Sequence, residues 1–364
     1  MVEGRIETRD VTLAAIGLLA LGAVAFAGFV VSGVYNVSAS RQHLDATTWI
    51  LDVVRRQSVG VHSLGIDPPP LDDEGLVRLG AAHFEAGCAA CHGAPGRPAA
   101  ALAQAMLPTP PALSDTIEDW ETRELFWIVH NGQKYTGMPA WIATAREDEV
   151  WAVVAFLDRL RGMEAAEYAA LSGLEDVSDP LFGGHEADGA ALLDNCSRCH
   201  GADGAAPVAG PVPVLRGQDP AYLARSLIEY REGLRSSGIM QLVATPLTDA
   251  EIAFLAAHYG EGDGPPPAVA TTASLPRGGE IARSGVPERD VPACLGCHGA
   301  DERRPGFPDL FGQPQGYLHQ QLLLFREGVR NQTPHGALMT PVATRMSDAD
   351  IAAVSAYFAA GTAP

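Results

Sequence analysis

Positive charge is scarce in this chain. Its 25 Lys plus Arg stand against 44 Asp plus Glu, giving a formal charge of −19. A surface of that sign repels phosphate backbones, so nucleic acid is excluded as a partner. Global disorder is excluded as well, because 47% of the 364 residues are apolar. Gly and Pro together make up about 18% of the chain, below the roughly 25% of low-complexity sequence but enough to demand many loops. Sustained alternation of apolar and polar residues, the mark of a half-buried strand, is missing. The expected fold class is therefore all-α with long connections, and the length calls for two to four compact units at about 100 to 200 residues each.

No cysteine stands alone. The six form three C-x-x-C pairs, Cys88 with Cys91, Cys196 with Cys199 and Cys294 with Cys297, and each pair is followed at once by a histidine, His92, His200 or His298. With 11 His in the chain, chance would put one after a given pair about 3% of the time. Zinc is a poor match, because each site lacks a second pair to complete four ligands. A thioredoxin-like disulfide expects a βαβ pattern, which is absent. Two thiols three positions apart with an imidazole next to them suit a haem, held covalently through both vinyl carbons and ligated from one side. Such a large flat apolar group also completes the core of a unit of about 80 residues that could not build one alone.

The second axial position points to methionine. Met138, in Thr136-Gly137-Met138-Pro139, lies 50 residues after Cys88; Met240 lies 44 after Cys196 and Met339 lies 45 after Cys294. That near-constant offset nominates all three as iron ligands against the ordinary role of Met as core filler. Met346 aligns with Leu247 and reads as core, while Met106 and Met163 read as packing or surface. His130, His258 and His319 read as solvated or hydrogen-bonded side chains. His335, four residues before Met339, is the alternative to it as a ligand.

Charge is absent from Val11 to Ser40. The apolar stretch from Val11 to Val34 would span about 36 Å as a helix, enough to cross a hydrocarbon core of about 30 Å. A cleaved export signal is the rival, but signal apolar regions usually run about 7 to 15 residues. Leu44, Ile50, Leu51, Val53 and Val54 follow at near-helical spacing, so a helix lying on the membrane or on the first unit is expected, with a solvated tether as the alternative.

Pro and Gly divide the rest at Asp67-Pro68-Pro69-Pro70, from Ser178 to Gly184 and from Gly262 to about Pro276. The second and third units are copies. Leu215-Arg216-Gly217-Gln218 answers Leu310-Phe311-Gly312-Gln313, Tyr222-Leu223 answers Tyr317-Leu318, and Arg231-Glu232-Gly233 answers Arg326-Glu327-Gly328. Thr248 to Glu251 and Ser347 to Asp350 read as helix caps, and Thr144 to Glu147 as a capping box in the first unit. Behind it, Val150, Val153, Val154, Leu157 and Leu160 form a buried stripe, and Leu76, Leu79, Gly80 and Phe84 suggest an opening helix.

On these residues the chain resembles the c-type cytochromes. The second and third units resemble the paired domains of two-haem cytochromes of bacterial respiratory chains, carrying Cys196, Cys199, His200 and Met240, then Cys294, Cys297, His298 and Met339, with Pro213 and Pro308 ahead of Leu-x-Gly-Gln. The first unit resembles a single-haem domain bearing Thr136-Gly137-Met138-Pro139-Ala140-Trp141. The resemblance implies three tandem cytochrome c domains, three covalently bound haem c, and attachment outside the bacterial plasma membrane, in the periplasm. The expected organisation is a cytoplasmic end and transmembrane anchor (1–40), a membrane-proximal helix or linker (41–72), domain I (73–165), a linker (166–182), domain II (183–263), a Pro-rich linker (264–276) and domain III (277–364). The expected function is single-electron transfer between respiratory partners, such as a quinol-oxidising complex or dehydrogenase and a terminal oxidase, with no catalysis of its own. Two alternatives stand: a cytochrome subunit of a periplasmic dehydrogenase complex, and a haem enzyme with an open axial site.

Overall fold

The computed structural model describes residues 8–174, 189–261, 275–299 and 306–361. The breaks expected from Ser178 to Gly184 and from Gly262 to about Pro276 lie almost wholly outside them. The described residues are helical, with no strand and only two isolated bridges, Ala94 with Arg97 and Val286 with Val291. Helix α1 (Thr8–Ser32) contains the apolar span Val11–Ser32, of mean hydropathy 2.4, and none of the other described residues covers it. Helix α2 (Asp45–His62) buries Val59 and packs on the first unit, with Arg55 and Arg56 over the Trp120 ring. Its other face leaves Trp49, Ile50, Val53 and Val54 exposed.

In the first unit the helices are α3 (Glu74–Gly87), α4 (Thr122–Asn131), α5 (Glu147–Arg159) and α6 (Ala165–Ser172). The second has α7 (Gly189–His200), α8 (Pro220–Arg231), α9 (Met240–Ala244) and α10 (Asp249–Gly260). The third has α11 (Pro276–Ser284), α12 (Gln315–Arg326), α13 (Pro334–Thr344) and α14 (Asp348–Ala359). In the first and third units the opening helix crosses the closing one at a glycine. A methyl group on Gly80 would overlap the Ala152 carbonyl, and one on Gly278 the Ala353 carbonyl. Only a residue without Cβ lets the backbones come that close.

Around the first crossing, Val150, Val153, Val154, Leu157 and Leu160 are buried as the periodicity requires, and Phe84, Phe156 and Tyr168 pack ring on ring at 5.2 to 6.2 Å. Tyr168 lies on α6, where the linker of residues 166–182 was expected, so residues 166–172 are part of the first unit. Its hydroxyl donates to Glu85 at 2.5 Å, and Glu85 pairs with Arg97. The expected capping box at Thr144 and Glu147 is not formed. The residue ahead of α5 is Arg146, which has no side-chain cap; its guanidinium turns inward to Asp148 and Glu149, and the Thr144 carbonyl accepts from His130 Nε2. Buried charge pairing has displaced the local cap. In the copies, Thr248 with Glu251 and Ser347 with Asp350 form reciprocal boxes.

The units touch. Leu79 and Ala152 of the first pack against Ala209 and Val212 of the second, and the second and third meet along a two-fold-like seam.

Candidate haem sites

All three motif histidines are held alike. Nδ1 lies 2.8 Å from the Pro111 carbonyl in His92, 2.8 Å from Pro213 in His200 and 2.9 Å from Pro308 in His298. A carbonyl can only accept, so Nδ1 carries the proton and Nε2 keeps its lone pair for a metal. Burial lowers the pKa of His200 and His298, and the hydrogen bond to the proline carbonyl opposes that shift only in part. Pro111 escaped the sequence reading. Its signal was a Pro-x-Leu shared by the units: Pro111-Ala112-Leu113, Pro213-Val214-Leu215 and Pro308-Asp309-Leu310.

The six cysteines form no disulfide with one another and are half-buried. Burial pushes Cys88 up to about 12 and Cys196, Cys199 and Cys294 up to about 11. Neutral thiols exchange disulfides poorly, which fits permanent attachment better than redox cycling. In the second unit the motif ends α7; in the first and third it forms a short turn of its own, Ala89–His92 and Leu295–His298.

One continuous cavity of about 910 Å³ runs through the second and third units. The motif residues Cys196, Cys199, His200, Cys294, Cys297 and His298 line it, and so do Met240 and Met339. His335 lines it too, with the Phe307 ring 5.6 Å from it and 6.1 Å from His298. Ala244 and Ala343, four residues past each methionine, are fully buried, and Met346 sits in the core as its alignment with Leu247 requires. The first unit's Cys88, Cys91, His92 and Met138 stand apart from this cavity. Met138 is half-buried in a tight turn, its amide donating to Thr136 Oγ1 and its carbonyl accepting from Gln133. Met106 packs so closely on Gly137 that a methyl there would overlap its ε-methyl.

The cavity wall suits an apolar group bearing acids. Arg235 is 3% exposed, and its partners are neutral: the Tyr317 hydroxyl at 2.8 Å, the Gln321 amide and the Tyr230 ring. Its Nε has no hydrogen-bond partner among the described residues. Burial alone would raise the pKa of the Tyr222 hydroxyl, yet the guanidiniums of Arg235 and Arg330 hold it below the usual phenol range. Buried cations call for carboxylates, which haem propionates would supply. These arginines were not singled out from the sequence, though they recur at one offset in Arg231-Glu232-Gly233-Leu234-Arg235 and Arg326-Glu327-Gly328-Val329-Arg330.

Across the seam the repeated glutamines exchange places. Gln313 donates to the Val214 carbonyl at 2.8 Å and accepts from the Val214 amide at 3.0 Å; Gln218 donates to the Asp309 carbonyl at 2.8 Å and accepts from its amide at 3.0 Å. Each glutamine thus grips the residue next to the proline that orients the other unit's histidine.

Comparison with known proteins agrees with this chemistry. Residues 75–157 match the family described as cytochrome c oxidase, cbb3-type, subunit III, and residues 186–258 and 291–361 match cytochrome c. Cytochrome c4 of Pseudomonas aeruginosa is 37% identical over 182 residues, 48% of this chain and 87% of that protein. A thiosulfate dehydrogenase electron acceptor of Thiomonas intermedia is 36% identical over 170 residues, 46% of this chain and 78% of that protein. The crystal structure of reduced cytochrome c4 from Pseudomonas stutzeri aligns with a TM-score of 0.42 at 33% identity, covering 49% of this chain and 100% of that one. With three C-x-x-C-H motifs, three motif imidazoles held alike and the sequence matches to cytochrome c and to cytochrome c4 of Pseudomonas aeruginosa, the chain belongs to the c-type cytochromes and carries three covalently bound haem c groups.

Proposed function

We propose that this cytochrome is anchored in the bacterial plasma membrane by α1 and passes single electrons through three haems between respiratory partners on the periplasmic side. The observation that supports this reading is the shared cavity, which His200, Met240, His298 and Met339 all line. Haem supplies one-electron iron chemistry there. The chain's part would be to hold each iron with an imidazole nitrogen, from His92, His200 or His298, and a thioether, from Met138, Met240 or Met339. Haems held by one histidine and one methionine each would have no free position for a substrate and a higher potential than with two histidines. Attachment is through Cys88 and Cys91, Cys196 and Cys199, and Cys294 and Cys297. Anchoring is supported by the uncovered apolar span and by the exposed Trp49, Ile50, Val53 and Val54 on α2, which suit a bilayer surface. The acidic surface would steer the exported part toward basic patches on its partners.

A second reading, a subunit that takes electrons from a periplasmic dehydrogenase, is supported by the description of the Thiomonas relative as an electron acceptor. Affinity capture of the tagged full chain from detergent-solubilised membranes separates the two. Recovery of a quinol-oxidising complex or terminal oxidase supports the first reading, and a stoichiometric catalytic dehydrogenase subunit supports the second. Carbon monoxide should leave the ferrous spectrum unchanged; a shift would reveal an open axial site and an enzyme instead. Removal of residues 8–32 should move the haem protein from the membrane to the soluble fraction.

A further inference from the structure

The second and third units are copies, yet they support their methionines differently. Met339 comes nine residues after Arg330, and Met240 only five after the equivalent Arg235. The four missing residues amount to about one helical turn. Where they are present, Met339 lies inside an 11-residue helix whose first turn is capped by Thr333 Oγ1, accepting from the Gly336 amide at 3.1 Å. Where they are missing, Met240 is the first residue of a five-residue helix; Ile239 ahead of it caps nothing, and the Met240 amide relies on Ser237 Oγ.

The first unit braces this segment. Glu149, 1% exposed at the start of α5, reaches across the interface. Its Oε1 accepts from Ser237 Oγ at 2.5 Å and pairs with Arg146 at 2.9 Å. Its Oε2 accepts from the Gly238 amide at 2.6 Å and from Trp141 Nε1 at 3.1 Å. Ser237 Oγ, oriented by that bond, accepts from the Met240 amide at 3.1 Å. Gly238 lies against the Trp141 ring, where any side chain would collide, and Arg146 Nη1 donates to the Ser236 carbonyl. Apart from Arg146, the donors to Glu149 are Trp141, three residues past Met138, and the segment leading to Met240.

We propose that Glu149 is a positioning residue for Met240: across the domain boundary it fixes the Ser237 hydroxyl that holds the Met240 amide and the Gly238 amide beside it, so docking of the first unit sets how firmly Met240 is held. This rests on the reading of Met240 as an iron ligand. A glutamine at position 149 would offer one acceptor oxygen to four donors and turn its amide toward one of them, so the isosteric variant already breaks the arrangement.

The test uses the full-length holoprotein, with Ser237→Ala, Glu149→Gln and, as reference, Met240→Ala. Two readouts are taken: amide exchange of the segment 237–244, and displacement by imidazole of the sulfur-to-ferric-iron charge-transfer band. Met240→Ala defines the share of the band that belongs to Met240. In Ser237→Ala and Glu149→Gln that share should yield at about tenfold lower imidazole, the effect of one buried hydrogen bond, and the Met240 amide should exchange about tenfold faster. The rest of the band should titrate as in the wild type. Wild-type displacement in both variants, even with a lower melting temperature, would overturn the proposal and leave Met240 a ligand held by its own unit. A band unchanged in Met240→Ala would remove the ligand assignment and the proposal together.

Discussion

Replacing Gln313 by Ala tests the seam between the second and third units most directly. Gln313 is 3% exposed and Val214 4%, so the two bonds between them are shielded from water. The substitution leaves the Val214 amide and carbonyl without these partners. An unsatisfied buried backbone group costs about 1–3 kcal/mol, so the pair should weaken the seam by about 2–4 kcal/mol once some water enters. At about 1.4 kcal/mol per factor of ten, that is roughly 30- to 1,000-fold in local opening. The assay is native-state hydrogen exchange at the Val214 amide of the holoprotein, with urea denaturation as a second measure. Gln218→Ala is the internal comparison and should cost less, because Asp309 is only half-buried. If Val214 protection in Gln313→Ala stayed within threefold of the wild type, the glutamine exchange would be incidental to the seam.

Met138, Met240 and Met339 replaced one at a time by His should each lower one haem potential and leave the other two nearly unchanged in a potentiometric titration. Gly80→Val forces side-chain atoms into the Ala152 carbonyl and should destabilise the first unit by about 1–3 kcal/mol, read as a lower urea midpoint. Asp350 is buried, which by itself raises its pKa, but Ser347, Arg289 and Arg277 together hold it well below the usual carboxylate range. Its contribution is therefore complete above its unfolded value of about 3.9 and is lost as pH falls through the lower folded one. Asp350→Asn should accordingly be less stable than the wild type at pH 7, with the gap narrowing as pH drops below about 4 in thermal melts.

The three haem attachments were legible because each is written in five consecutive residues, and covalent chemistry needs nothing further from the fold. Helix stripes such as Val150, Val153, Val154 and Leu157 were legible for a similar reason, since periodicity alone decides which face is buried. The Thr144 to Glu147 box failed because a buried Arg146 paired with Asp148 and Glu149 outweighed a local cap. Residues 166–172 read as linker because only the position of α3 gives Tyr168 a core to enter.

Sequence by itself therefore determined the cofactor, its number and the helical class, all properties of residues near one another along the chain. Tertiary structure alone decided what stands beside each group. Glu149 meets Ser237 across 88 positions and Gln313 meets Val214 across 99. A polar residue destined for burial against a distant partner looks in sequence like one destined for water, and only the packing of one unit on another tells them apart.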